Sequence, residues 1–289
     1  MIETTSATTV ACVVCGSSDA SPFMAHPPYA IVTCAGCGLR FLSPRPTPEA
    51  IASLYAETYY HSEDSVSRGY SAYTAEAENW RLTFKDRLRY LPAAGKLLDV
   101  GAAAGFFVEQ ARLAGWEAEG IEPSEWASRY AREELGQPVA TGTLEGAAYP
   151  GASFDAVTMW EVIEHLPDPR AFLAEVARVV KPGGLLAFST PDAGSLVARL
   201  TGQRWLGWHK VPEHLYYFDR PSLERLLQES GFEVVEERYV SLTVTWGFAF
   251  ERLGTLLGQG WLSKLPGWLK DRSLAVNPYY DLMIIARRR

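Results

Sequence analysis

The segment Leu97-Leu98-Asp99-Val100-Gly101 is a short apolar run that ends in glycine, as a buried parallel strand does before a tight turn. A helix-forming stretch follows from Ala104 to Leu113, and then a second strand, Trp116–Ile121, closed by Glu122. Strand, glycine turn, helix, strand and acid make a βαβ unit suited to a nucleoside. Gly101 and Gly105 let the backbone approach a ligand, and the Glu122 carboxylate can accept hydrogen bonds from both hydroxyls of a ribose. The turn lacks the G-x-G-x-x-G pattern expected for a dinucleotide.

From Lys96 onward strands alternate with helices. Strands are expected at 96–100, 116–121, 138–140, 154–159, 184–190, 232–240 and 279–286. Helices are expected to begin near Ala104, Ser124, Asp168 and Ser222, and Gly183-Gly184 after Lys181-Pro182 reads as a helix stop before the fifth strand. This alternation predicts an α/β fold: a doubly wound, seven-stranded, mostly parallel sheet with helices on both faces. A chain of 289 residues can bury one such core and carry a small extra module. The net charge of −7 provides no global attraction for a phosphate backbone. Arg81, Lys85, Arg87 and Arg89 read as a solvated helix face, and Arg287-Arg288-Arg289 as a charged tail.

All four cysteines precede the sheet region, as Cys12-x-x-Cys15 and Cys34-x-x-Cys37. Two such knuckles are the pattern of a tetrahedral zinc site; two disulfides are the alternative, which a reducing compartment disfavours. Four thiolates leave no open position for water, so the zinc would be structural, and it would supply much of the folding free energy of so small a ribbon. The N-terminus has no basic region followed by a long apolar core, and no apolar run reaches the roughly 18 residues of a membrane span, so a cytoplasmic protein is expected. The expected divisions are a zinc ribbon over 1–45, a helical linker or lid over 46–95, and a ligand-binding domain over 96–289 with an insertion at 241–278.

Two segments admit two readings each. Residues 49–95 are helical and aromatic (Tyr55, Tyr59, Tyr60, Tyr70, Tyr73 and Trp80), either a packed linker or a cover over the ligand site. Residues 246–270 carry Trp and Leu at helical spacing. They form either a helix packed on the sheet edge or at a homodimer interface, or a substrate lid or membrane-surface contact.

LLDVGAAAGFF is similar to the first motif of class I S-adenosylmethionine-dependent methyltransferases, GIEPSEWA to their second, FDAVTMWEVIEHLPDP to their fourth-strand motif, and RVVKPGGLLAFSTP to their passage into the fifth strand. EHLYYFDRPSLERLLQESGFEVV resembles the branch that contains the ubiquinone-pathway O-methyltransferases, and the cysteine pairs resemble those of bacterial zinc-ribbon methyltransferases implicated in secondary-metabolite or surface-sugar modification. The resemblance implies S-adenosylmethionine as cofactor. By position, Asp99 and Gly101 would face the methionine amine and backbone, Gly105 would permit close approach, and Glu122 would bind the ribose. Pro123 would flank the adenine, Thr143 and Leu144 would contact it, and Trp160 would lie near the methyl donor. One position departs from the family: Ala103 replaces the usual middle glycine, where a methyl group could crowd the methionine moiety, though alanine tolerates most turns that are not left-handed.

Methyl transfer from a sulfonium requires alignment of the acceptor and removal of its proton. Of the five histidines, His165, His209 and His214 follow the fourth and fifth strands, on the carboxyl edge where such folds bind ligands. Glu161, Glu164 and His165 form an E-x-x-E-H set that would share one face of a helical turn. Two carboxylates and an imidazole suit Mg²⁺ or Mn²⁺. The set, with His214 as a later histidine, resembles the metal site of small-RNA terminal-ribose methyltransferases; ubiquinone-pathway relatives have a similar signature and also need a divalent ion. The metal-free alternative has His165 or His214 as base, with Glu161 positioning the acceptor. The expected activity is methylation of a small molecule, at a hydroxyl of a natural product, sugar or phenol. Sugar C-methylation, RNA methylation and a non-catalytic S-adenosylmethionine-binding scaffold are the alternatives, with the acidic charge weighing against RNA.

Overall fold

A computed structural model describes residues 7–47, 50, 51, 74, 76–92, 94–247, 250, 272–277 and 279–289. Tyr55, Tyr59, Tyr60, Tyr70 and Tyr73 and nearly all of the 246–270 insertion lie outside the described residues, so both readings of each segment stand as expectations. The N-terminal part contains β1 (Ala7–Thr8), β2 (Ala20–His26), β3 (Tyr29–Cys34), β4 (Arg40–Leu42) and β5 (Arg45–Pro46). Helix α1 (Ala77–Leu88) leads into β6 (Lys96–Val100), α2 (Phe106–Leu113), β7 (Glu117–Glu122), α3 (Glu125–Glu133), β8 (Val139–Thr141) and β9 (Phe154–Trp160). After α4 (Pro169–Val179) come β10 (Val180–Pro191), α5 (Leu196–Thr201), β11 (Tyr216–Tyr217), α6 (Arg220–Glu229) and β12 (Phe232–Tyr239). A hairpin-like pair, β13 (Leu242–Thr245) and β14 (Ser273–Val276), precedes the last strand, β15 (Asp281–Arg288).

The main sheet has seven strands in the order β12-β15-β10-β9-β6-β7-β8. The pairs β10–β9, β9–β6, β6–β7 and β7–β8 are parallel, and β15 runs antiparallel to both of its neighbours. The central strands are buried on both faces, as parallel strands under two helix layers must be, which explains the continuous Leu97-Leu98 and Val157–Met159 runs. One core face gathers Val157, Phe188, Leu223 and Phe232 with the ribbon residues Ile31, Phe41 and Leu42. The other gathers Phe84, Leu97, Phe106, Phe107 and Met283.

Helix starts follow local chemistry. Asp168 caps α4 by accepting from the amides of Arg170 and Ala171, with Pro169 at the first position, where its missing N–H costs nothing. Asp219 and Ser222 form a reciprocal capping box, so α6 begins at Arg220 rather than at the expected Ser222. Strand β10 begins four residues before the expected 184: Val180 already pairs with Phe154, and the Lys181-Pro182-Gly183-Gly184 segment is an irregularity inside the strand rather than a turn ahead of it.

The ribbon sheet has four strands in the order β11-β4-β3-β2, and its outermost strand comes from residues 216–217. Its two-stranded partner is β1–β5. Among the described residues, no helix is long and apolar enough to cross a membrane.

Arg87 departs from the solvated face expected for its helix. It is 2% exposed and donates to Asp281, equally buried, at 2.9 Å, which ties α1 to the start of β15. Thr83 of the same helix accepts from the amide of Thr243, and Asn79 accepts from the Ser273 hydroxyl, so α1 also carries the β13–β14 pair. Removing one partner of a buried ion pair leaves a stranded charge. Asp281→Ala is therefore expected to cost about 3–5 kcal/mol in urea unfolding, and Arg87→Met with Asp281→Leu distinctly less. An equal loss in both variants would show that stranded charge is not the cause.

Candidate active site

The turn after β6 and the end of β7 are fastened to each other. The amides of Gly101 and Ala102 donate to the Ile121 carbonyl at 2.9 and 3.2 Å. Glu122 is nearly buried: one carboxylate oxygen accepts from the Ala103 amide at 3.0 Å, and the other from the Ser124 amide at 2.8 Å. The carboxylate therefore holds the turn after β6 against the end of β7. A Cβ on Gly101 would sit 2.7 Å from Val162 Cγ2, and Gly105 caps α2 at φ +82, so both positions require glycine. Ala103 has φ +45, the left-handed conformation in which alanine is strained.

Asp99 lies under this turn, fully buried, and accepts from the Thr158 hydroxyl at 2.7 Å. Burial raises its carboxyl from the ordinary 3.8 to about 8, against the lowering effect of Thr158 and with a further push from Glu122. Pro123 and Thr143 are exposed at the rim, whereas Leu144 packs into the core. Trp160 ends β9 half-buried, with its ring centroid 5.0 Å from that of Phe107 and 5.1 Å from the Arg87 guanidinium carbon.

Beyond Trp160 the backbone turns through Glu161 at φ +56 into a 3₁₀ turn, Ile163–His165. The tighter turn and the left-handed residue divide the E-x-x-E-H set, which one face of an α-helix would have kept together. Glu161 accepts from the Ser189 hydroxyl at 2.8 Å and faces Asp281; burial, then Asp281, push its carboxyl well up. Glu164, His165 and His214 converge, with one ligand atom from each lying within 4.8 Å of the others.

Glu164 is 1% exposed: one oxygen accepts from the Thr190 hydroxyl at 2.9 Å, and the other has no hydrogen-bond partner and lies 3.8 Å from His165 Nε2. His165 Nδ1 is 2.9 Å from the Glu213 carbonyl, so Nδ1 donates there and Nε2 presents its lone pair. The His214 ring meets that of His165 edge-on at 4.7 Å. Burial lowers His165 to about 4 and His214 well down, and raises Glu164 to about 8. Two neutral imidazoles are in the ligand form, and a cation would draw the Glu164 proton off. Two nitrogen donors and one oxygen favour Mn²⁺ over Mg²⁺, which prefers oxygen and retains its waters. His209 stands apart, exposed and paired edge-on with His26 at 5.8 Å. Trp205, Trp208, Tyr216 and Tyr217 are all buried, and Trp208 packs on Phe23 of the ribbon.

Cys12, Cys15, Cys34 and Cys37 are free thiols whose sulfurs cluster within 4.8 Å, with Cys12–Cys37 at 3.5 Å and Cys15–Cys34 at 3.4 Å. A tetrahedron with Zn–S bonds of about 2.3 Å has edges of about 3.8 Å, so the donors fit zinc. Burial acts to raise Cys34, but Cys15 and the Cys37 and Gly36 amides outweigh it and lower the thiol to about 7, whereas burial raises Cys12 and Cys37.

With this geometry in hand, comparison with known proteins is direct. The methyltransferase-domain family profile matches residues 73–237, and the chain belongs to that family. The ubiquinone biosynthesis O-methyltransferase of Thiobacillus denitrificans is 35% identical over 170 residues, covering 52% of this chain and 72% of the relative. The protein of the same name from Aromatoleum aromaticum is 36% identical over 167 residues, covering 54% and 71%. Among solved structures, an S-adenosylmethionine-dependent methyltransferase from Archaeoglobus fulgidus superposes with a TM-score of 0.52 at 21% identity, over 75% of this chain and 100% of that one. One from Leishmania major gives 0.53 at 16% identity, over 83% and 82%. At those identities the structures show the fold alone. The chain is a class I S-adenosylmethionine-dependent methyltransferase with the Rossmann-like sheet of that class.

Neither Arg87 nor Asp281 stands out in the sequence as part of a site. Their signal is weak but present: Phe84, Arg87 and Leu91 share helical spacing, and all three are buried. Thr158, Ser189 and Thr190 are hydroxyls at the ends of buried strands, each hydrogen-bonded to a carboxyl oxygen.

Two outcomes are expected here. Unfolded Asp99 ionises near 3.8 while the folded carboxyl holds its proton to about 8, so its penalty on stability accumulates as pH rises through that window. Asp99→Asn should flatten the fall in unfolding free energy between those pH values; an unchanged slope would contradict the assignment. Ala103→Gly should change stability by less than about 1 kcal/mol, strain relief offsetting chain entropy, whereas Ala103→Val should be clearly destabilising in thermal unfolding.

Proposed function

We propose that this methyltransferase methylates a hydroxyl of a small aromatic molecule, with the acceptor held at a divalent cation bound by Glu164, His165 and His214. The observation that carries the proposal is the convergence of these three side chains just past Trp160 at the carboxyl end of β9, beside the cofactor turn. The relatives' names support oxygen as the accepting atom. Asp99, Gly101, Ala103, Gly105, Glu122, Pro123, Thr143, Leu144 and Trp160 form the cradle for S-adenosylmethionine, and the four cysteines hold a structural zinc.

The sulfonium cofactor supplies an already activated methyl group, so the protein's work is alignment and proton removal. His165 titrates at about 4, which makes it a poor base. Taking a proton from a phenol, which ionises near 10, would run uphill onto so depressed an imidazole. A cation lowers the hydroxyl's own pKa, so the two imidazoles serve better as ligands than as bases. Glu161 stands outside the cluster, with its carboxylate accepting from the Ser189 hydroxyl.

Calorimetry with S-adenosylmethionine and Mn²⁺ titrations followed by spin resonance test the two halves separately. Glu122→Ala should weaken cofactor binding at least about tenfold, a loss of 1.4 kcal/mol, and leave Mn²⁺ binding alone. His214→Ala should do the reverse. Full turnover of a catechol after chelation, with the ribbon zinc still in place, would end the cation reading.

A further inference from the structure

The ribbon is joined to the cation-ligand cluster through one residue of backbone. Leu215 follows His214 directly; its amide donates to the Glu164 carbonyl at 2.8 Å, and its own carbonyl accepts from the Leu42 amide, also at 2.8 Å. Strand β4 continues the contact, with Phe41 opposite Tyr216 and Arg40 opposite Tyr217. Among the described residues, β4 is the only strand that β11 pairs with. The segment that carries His214 thus owes its ladder to residues 40–42.

Arg45 closes the arrangement from the side. One guanidinium nitrogen donates to the Tyr216 hydroxyl at 2.9 Å and the other to the Pro167 carbonyl at 2.9 Å, while the Tyr216 hydroxyl itself donates to that carbonyl at 3.2 Å. Pro167 lies two residues after His165, and Tyr216 two after His214. A planar fork of donors with two bonds has little freedom, so it fixes the two ligand-bearing segments relative to each other. The second cysteine knuckle sets where this begins: the Cys34 amide donates to the Leu39 carbonyl at 2.9 Å and the Gly38 amide to the Cys34 carbonyl at 2.9 Å, one residue before β4 starts at Arg40. Arg170, in the first turn of α4, donates to the Val13 and Val14 carbonyls of the first knuckle at 3.0 Å each.

We infer that the N-terminal ribbon is part of the acceptor site's scaffold, and that Arg45 is a positioning residue which holds Glu164, His165 and His214 in register. The inference rests on the proposed role of those three side chains as cation ligands. A ribbon serving only as a separate recognition module would not need its strand to complete the segment beside His214, nor a side chain bonded to both ligand loops. The bonds that shape the cofactor turn run within it: Ala103 and Ser124 donate to Glu122, and Gly101 and Ala102 to the Ile121 carbonyl. Ribbon perturbation should therefore affect cation binding selectively and leave the cradle intact.

The test uses the full chain with its zinc content measured, comparing Arg45→Met, Arg45→Lys, Tyr216→Phe and the double Arg45→Met/Tyr216→Phe. Mn²⁺ affinity, S-adenosylmethionine affinity and the imidazole ¹⁵N resonances of His165 and His214 are read for each. Supporting groups around a metal site carry about ten- to a hundredfold in affinity, so Arg45→Met should weaken Mn²⁺ binding by at least about tenfold with cofactor affinity within about twofold. Arg45→Lys should recover part of the loss. The double variant should be little worse than Arg45→Met, since the two residues form one clamp. The His214 resonance should move in Arg45→Met even without added metal. Unchanged Mn²⁺ affinity and resonances in Arg45→Met would overturn the inference, as would a parallel loss of Mn²⁺ and cofactor binding. If His214→Ala leaves wild-type Mn²⁺ binding intact, the cation reading fails instead; the resonances alone then decide whether Arg45 holds His214.

Discussion

The pairing of β6 with β9 places Leu97, Leu98 and Asp99 beside Ala156, Val157 and Thr158, and the Thr158 hydroxyl closes on Asp99 across that register. From this pair the chain goes two ways, outward through β7 and β8 on one side and through β10 and β15 on the other. A crevice opens at the carboxyl ends of a parallel sheet where strand order reverses. The cofactor turn and the E-x-x-E-H edge are therefore neighbours because two adjacent strands end side by side. A shift of register by one residue would turn every inward side chain outward and separate the two halves of the site.

The site also shares an electrostatic condition. Asp99, Glu161 and Glu164 are all carboxyls whose surroundings favour the protonated form, burial being the largest cause for each. Arg87 is the buried cation nearby, and Asp281 already engages it. On the proposed reading, such a region would receive positive charge: a methionine ammonium and a sulfonium at one end, a divalent ion at the other. Binding would then be coupled to proton release, because each arriving cation stabilises a carboxylate that burial alone disfavours.

Much of the architecture could be read from residue order. The strand runs, the glycine turn, Glu122 and the paired cysteines are local signals, and the structure fastens the turn to Glu122 and gathers the four sulfurs. What escaped was set by tertiary context. Arg87 reads as solvent-facing because its partner, Asp281, is far away in sequence. The E-x-x-E-H set divides because Glu161 adopts a left-handed conformation that helical spacing does not anticipate. Trp208 is buried against Phe23 of the ribbon, a contact that no local pattern announces. Ala103 shows the converse: its departure from the family's glycine is visible in sequence, but its strain is visible only in its φ of +45.

The Arg45–Tyr216 contact spans 171 residues of chain, whereas the fastening of Ala103 to Glu122 spans 19. Contacts of such different range carry different loop-closure entropies, and the short-range ones assemble first. The nucleoside cradle can therefore take shape from its own neighbourhood, while the acceptor edge waits for both ends of the ribbon contact to be present. On a growing polypeptide the first 46 residues must remain without their fourth strand until residue 217 has been made. On the proposed reading, the acceptor edge takes shape after the nucleoside cradle during synthesis.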